Sequence, residues 1–397
     1  MKRFFSFHII PFVVAAVIAY FLISTIQYFS KNFNNSSQNI LITEDIQQPS
    51  FKYFANYETD GEQKIIFLAK SLSDKTVVLV GSSELTGSSE KLPFLFFNDS
   101  ILKLIAVGHA YNETFAIYCQ LLAMGDYLRN SNVCFILSPG WFEDGKGTNI
   151  QAFLEFVPEI LQKRIYANNI DEEFKNYFYS YMFKNKIEIN NVPLTYSLLA
   201  NLSSDNNFPI ANKLFANKFL PQKVDFKFSI SDTISPCKNS FTLSWDSMLT
   251  KDYEKFLTTC TSNKIYVYNE YYFEHLVNKD GTVKSSTVST VLFPNTELED
   301  LKMLLKLLKY YNCNASFIMQ QLNPYYYHSL ENYTPIMDSI QKLIVNENHY
   351  PYFNMFVTDT ANYHAGDLRD VMHIGNAGWD KVNRFIYETY CNKSLQK

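Results

Sequence analysis

Gly81-Ser82-Ser83-Glu84-Leu85 follows directly on the apolar run Thr76–Val80. A serine at the turn leaving a buried strand presents its hydroxyl in a crevice. A helix starting there offers backbone N–H donors and positive potential to an oxyanion. The plainer reading is that Ser and Gly are ordinary turn and N-cap residues, with Glu suited to a first helical turn. Near the far end stands Asp370-Val371-Met372-His373. A nucleophilic serine needs a neutral imidazole as base, and the imidazole needs an acceptor that fixes its tautomer. The i, i+3 spacing lets Asp370 reach the His373 ring, although a surface Asp and a helix-capping His fit the same spacing. Among other histidines, His8 lies in the apolar N-terminal run, and His275, His328 and His349 have no carboxylate at useful spacing. His364, with Asp367 three residues later, is the rival pair. His109 follows Gly108 at a strand end and could line the same crevice.

These residues need a scaffold, and the sequence predicts one in which strands and helices alternate. Thr76–Gly81, Ile101–Gly108, Val133–Ser138, Lys264–Tyr268, Ala315–Gln320 and Phe353–Val357 read as short buried strands. Apolar periodicity predicts helices over Glu113–Arg129, from Thr296 through Tyr311, over Pro335–Val345 and over Asn376–Tyr390. Thr296 and Glu299 have the spacing of a capping box. Strands separated by helices imply a mainly parallel sheet covered on both faces, with ligands bound outside the carboxyl ends of its strands. Between about 150 and 260 the rhythm is lost to aromatic and Asn-rich helical patterns, which read as an insertion on the α/β core.

The 397 residues are 47% hydrophobic and 19% charged, enough apolar material for a full core and too little charge for a disordered chain. A formal net charge of −4 argues against nucleic-acid binding through a basic surface. Lys2 and Arg3 precede an uncharged run from Phe4 to Phe29, whose most apolar part, Ile9–Ile26, would span ~27 Å as a helix. This predicts an anchor over 1–30 with its N-terminus cytoplasmic, a polar stalk over 31–50, and an exported body over 51–397. A cleaved signal peptide is the alternative, but no small-x-small cleavage site follows the run. Without those two cations the exported part carries 33 Lys and Arg against 39 Asp and Glu, a net −6. Of the six cysteines, Cys119 and Cys134 read as buried thiols and Cys237–Cys260 as the pair to test for a disulfide outside the cytoplasm. No Cys/His spacing fits a metal site, and no cofactor signature is present.

A Gly-x-Ser after the first core strand, a Gly after the second and an Asp-x-x-His before the last helix together resemble the SGNH/GDSL hydrolase superfamily. The resemblance implies a three-layer, flavodoxin-like core. In it Ser83 is the nucleophile, His373 the base and Asp370 the orienting acid, with the Ser83 and Gly108 amides in the oxyanion hole. Two departures stand out. Ser82 occupies the position of the usual Asp, and the Gly-x-Asn-Asp block, whose Asn completes the hole, is missing. Trp141 or the Glu84 amide could replace that donor. In place of the block stands Ser138-Pro139-Gly140-Trp141-Phe142, and this segment, the GSSEL turn, the Asp-x-x-His and the single anchor look like the DltD family. That family usually has Gln where Gly140 stands here. It implies transfer of D-alanine onto lipoteichoic acid or another polyol. A DltB-like membrane-bound O-acyltransferase would be the partner, and a DltC-like carrier protein would act upstream of it. Trp141, Phe142, His109 and Asn323, the last in Leu322-Asn323-Pro324, are the expected substrate contacts. Two other classes stay open: a secreted carbohydrate or lipid esterase on the same residues, and an anchored non-enzymatic scaffold.

Overall fold

The computed structural model describes residues 53–54, 61–87, 89–97, 101–158, 161–162, 164–165, 170–185 and 243–391; the expected anchor, the stalk and Cys237 lie outside them. Among the described residues no helix is long and apolar enough to cross a membrane. The chain separates into two compact units. One unit, Met1–Ile46 with Gln162–Lys227, contains among its described residues a helix over Glu172–Lys184. The other, Gln47–Leu161 with Phe228–Lys397, contains the sheet and every candidate site residue named above.

The sheet of this second unit is built from β1 (Tyr53–Phe54), β2 (Val77–Gly81), β3 (Leu104–Gly108), β4 (Asn132–Leu137), β6 (Asn314–Met319) and β8 (Tyr352–Asn354). Its order is β1-β3-β2-β4-β6-β8, and every neighbouring pair is parallel. A small second sheet pairs β5 (Ser286–Thr287) with β7 (Tyr327–His328). β2, β3 and β4 are buried at every position, as strands covered on both faces require. Alternate residues take opposite faces. Val77, Leu79, Cys134, Ile136 and Ile318 share one core with Trp379, Val382 and Ile386 of the final helix, Asn376–Tyr390. Phe135 and Phe317 are out of step with those positions and stack with ring centroids 4.8 Å apart. The Thr114–Met124 helix is buried along its whole length and packs on the Thr296–Tyr310 helix.

Most expected elements are present, with ends displaced by up to five residues. Three expectations need correction. Lys264–Tyr268 is a loop, because the Asn263 side chain takes the place of a strand partner. Its Oδ1 accepts the Ile265 and Val267 amides, its Nδ2 donates to the Val267 carbonyl, and Tyr266 sits at φ +57°. The Thr296 helix is capped one residue earlier, by Asn295, whose Oδ1 accepts the Leu298 amide at 3.1 Å. Its Nδ2 also donates to the Phe142 carbonyl at 2.7 Å, which ties the helix to the loop after β4.

The third correction concerns the cysteines. Cys260 is a free, buried thiol at the end of the Trp245–Thr259 helix, its Sγ 3.9 Å from the Leu257 carbonyl, so it is not paired with Cys237. Among the described residues Cys391 is the disulfide-bonded cysteine. Cys119 and Cys134 are buried free thiols, and burial pushes the Cys134 thiol up to about 12, which suppresses the reactive thiolate. Iodoacetamide under denaturing, non-reducing conditions is therefore expected to alkylate Cys119, Cys134, Cys260 and Cys313 and to spare Cys391. Peptide mass spectrometry that finds Cys260 protected would overturn its assignment as a free thiol.

Candidate active site

Asp370 makes the turn that carries His373. Leu368 bridges Ile374, the Arg369 amide donates to the His373 carbonyl at 3.0 Å, and the Gly375 amide donates to the Asp367 carbonyl at 2.8 Å. Inside this hairpin Asp370 Oδ1 accepts the Met372 and His373 amides at 2.9 and 2.8 Å. Its other oxygen, Oδ2, lies 2.8 Å from His373 Nδ1. One oxygen thus shapes the loop and the other orients the ring. With Oδ2 accepting at Nδ1, the neutral tautomer bears its proton there and leaves Nε2 as an acceptor. Burial pushes the Asp370 carboxyl up, but the hydrogen bonds and charge of His373, with the two amides, more than offset it and hold it below 3.8. Asp370 therefore stays ionised at neutral pH although it is only 6% exposed.

Ser83 Oγ lies 3.2 Å from His373 Nε2, across 290 positions of sequence. Ser83 is half-buried between buried Ser82 and Glu84, so the turn after β2 lifts its hydroxyl to the carboxyl edge of the sheet. Two glycines make that turn possible. A Cβ at Gly108 would collide with the Gly81 carbonyl, and one at Gly81 would collide with Glu84 Oε1. The Ser82 hydroxyl donates to the His109 carbonyl at 3.1 Å, and buried Asn112 donates Nδ2–H to the Gly81 carbonyl at 3.2 Å. The helix expected after Ser83 is a four-residue 3-10 turn, Ser83–Thr86, too short to bring a substantial helix dipole to an oxyanion.

The other expected site residues divide. Gly108 ends β3 in register with Gly81, next to the Ser83 turn. The Glu84 amide faces its own carboxylate, which also accepts the Ser82 amide. The donor role expected of the Glu84 amide is therefore taken up locally. Phe142 is fully buried and Trp141 only 7% exposed; Phe142 packs in the core and offers no face to a substrate. Asn323 is fully buried as well, with Nδ2 on the Ile265 carbonyl, Oδ1 on the Tyr325 amide, and its own amide on the Val371 carbonyl. It holds the Asp370–His373 turn from behind and cannot contact substrate. His109 is half-buried, its ring centroid 6.4 Å from that of Phe156, with Nδ1 buried and unpartnered. The rival pair does not form, because Asp367 accepts Tyr253 Oη–H and Lys381 instead, while His364 stands exposed against the Tyr253 ring.

Sequence reasoning passed over Gln320, Asn112 and Tyr271. Gln320 follows β6 and donates Nε2–H to Ser138 Oγ at 2.8 Å. Its place at the carboxyl end of a core strand was the signal that could have found it. Tyr271, Tyr325, Tyr326, Tyr327 and Met372 pack around Val371, so the tyrosine stretch supports the histidine turn. Burial first, then the charge of Asp370, pushes the Tyr271 hydroxyl up to about 12. Among the described residues no cluster of His, Cys, Asp and Glu could hold a metal ion.

A hydroxyl, an imidazole and a carboxylate in hydrogen-bond series, at the carboxyl edge of a parallel sheet, define an α/β protein with the parts for acyl chemistry at serine. The chain belongs to the DltD family, whose model matches residues 55–391. That membership implies a role in the D-alanylation of teichoic acid. No curated protein matches the chain.

Asn323→Ala strips partners from the Ile265 carbonyl and Tyr325 amide and is expected to cost about 1–3 kcal/mol in urea unfolding. An unchanged midpoint would refute the bracing role. Asp370 has a depressed folded-state pKa, so its contribution is complete above 3.8 and is lost as pH falls through the lower folded value. The Tm gap between wild type and Asp370→Asn is thus expected to be widest near neutrality and to close below pH 3.8. Scanning fluorimetry across pH checks this, and a gap that widens in acid would contradict it.

Proposed function

We propose that this protein is an extracytoplasmic serine acyltransferase that passes D-alanine to lipoteichoic acid or a related polyol through an acyl-serine. The observation that carries the reading is the continuous series Ser83 Oγ–His373 Nε2 at 3.2 Å and His373 Nδ1–Asp370 Oδ2 at 2.8 Å. The flavodoxin-like SGNH core fits the order of the five central strands, in which the first long strand, β2, lies between β3 and β4.

In the first half-reaction Ser83 Oγ attacks the acyl carbonyl while His373 Nε2 takes its proton. Asp370 stabilises the imidazolium, and the proton leaves with the departing group as the carbonyl re-forms on serine. In the second, an acceptor hydroxyl gives its proton to His373 and attacks the acyl-serine, and the C–Oγ bond breaks as Ser83 Oγ takes the proton back from His373. The Ser83 and Gly108 amides are the proposed oxyanion donors. Loss of one such donor typically costs about 3 kcal/mol, so a third contact has to come from elsewhere in the site.

The residues before 31 serve as a membrane anchor in this reading, with residues 51–397 outside the cell. A DltB-like O-acyltransferase supplies the acyl group across the bilayer, and a DltC-like carrier charges it from the cytoplasm. The exported part, at −6 with the stalk included, repels polyanionic teichoic acid at long range, so binding of the acceptor relies on local contacts. Hydrolysis of simple acyl esters by the isolated protein would favour the esterase reading. Indifference to Ser83→Ala would favour the scaffold.

In membranes supplied with D-alanine, ATP and the upstream proteins but no acceptor, a D-alanyl ester is expected on Ser83. Ser83→Ala is expected to abolish the label and to lower transfer at least ~10³-fold with the fold intact. Transfer that proceeds with Ser83 never acylated would exclude the mechanism.

A further inference from the structure

The Glu84 side chain folds back beneath the turn that presents Ser83. Its Oε1 accepts the Ser82 amide hydrogen and fills the space that any Cβ at position 81 would need. The residue is only 3% exposed, and Oε2 is buried without a partner. A sealed carboxyl with one free oxygen is costly, and a structural turn could be capped with a neutral amide instead. Its neighbourhood suggests why an acid stands there: the Ser82 amide that Oε1 accepts adjoins Ser83, whose hydroxyl lies 3.2 Å from His373 Nε2. Asp370 and Arg369 lie on the hairpin that carries His373. Arg369 Nε is 3.5 Å from Asp370 Oδ2, and its guanidinium lies where a Cβ at Gly87 would meet it. His109 meets the turn through its carbonyl, which accepts the Ser82 hydroxyl. Gly81–Gly87 itself has no other acid or base.

We infer that Glu84 is a second positioning carboxylate, which fixes the Ser83 turn through the Ser82 amide and, when ionised, stabilises the charge that His373 acquires on taking the serine proton. The inference rests on the reading of Ser83 as nucleophile. Burial pushes the Glu84 carboxyl up to about 7, against the pull of the Ser82 and Glu84 amides and of His373. Its charge therefore appears as pH rises through about 7. Below that, the neutral acid still occupies the turn but no longer offsets the imidazolium. Glu84→Gln keeps an acceptor for the Ser82 amide and removes the charge, whereas Glu84→Ala removes both.

The test uses a fluorophosphonate, which reacts at an activated serine without needing acceptor or partners. Wild type is expected to label at Ser83 with a rate that includes a rise through pH ~7. Glu84→Gln is expected to label at least ~10-fold more slowly and to lose that rise, while Glu84→Ala labels more slowly still. Labelling of Glu84→Gln at the wild-type rate with the wild-type pH profile would overturn the inference. Should Glu84→Gln fail to fold, NMR of ¹³C-carboxyl glutamate in the Ser83→Ala protein decides the matter. The Glu84 midpoint is expected to rise when His373→Gln is added, and an unmoved midpoint would overturn the coupling. A wild type that never labels, with a Glu84 midpoint that still moves, would instead sink the nucleophile reading and leave the Glu84–His373 coupling standing.

Discussion

The site depends on keeping one buried carboxylate, Asp370, ionised. Desolvation favours its neutral form, and a neutral Asp370 would lose both the turn and the ring orientation. Two amides on one oxygen and the imidazole on the other stabilise the charge. Because the same residue closes the loop and orients the base, the geometry of the hairpin and the tautomer of His373 cannot vary independently. Asn323 and the tyrosines around Val371 extend that constraint into the second small core.

The serine side has a different requirement, close approach. β2 and β3 end in register at Gly81 and Gly108, where the backbone of one strand occupies the Cβ space of the other. The Glu84 carboxylate then occupies the Cβ space at Gly81. A turn packed this tightly has few alternative conformations, which suits a hydroxyl that must meet an imidazole carried by a hairpin from the far end of the chain. The sheet joins the two halves. β2 lies beside β4 and β4 beside β6, so the loops after these strands share one edge, and the final helix packs beneath it on the same core as Val77 and Leu79.

Membership of the DltD family assigns the chain to teichoic acid D-alanylation, and the site geometry is consistent with chemistry at serine. The departures from the wider superfamily become intelligible in the structure. Where the missing Gly-x-Asn-Asp block would stand, the loop after β4 is a short turn whose aromatics are buried, and Gln320 from the next strand supplies an amide to Ser138. The polar equipment of this edge is thus spread over several strands.

Chemistry carried by local spacing was legible in the sequence. Asp370 and His373 are neighbours on one turn, Gly81 and Ser83 lie at the end of a continuous apolar run, and the final helix has the boundaries its periodicity predicts. Decisions between distant residues were not legible. Lys264–Tyr268 reads as a strand by composition but is a loop, because Asn263 satisfies its backbone locally. Asn323 and Phe142 read as substrate contacts, yet burial commits them to the frame. Asp367 was equally well spaced from His364, but Tyr253 and Lys381 claim it. Sequence determined which groups could act, since residue type and short spacing fix reactivity and local turns. Tertiary structure decided which of them face one another, because burial and competition for hydrogen-bond partners depend on neighbours brought in from elsewhere in the chain.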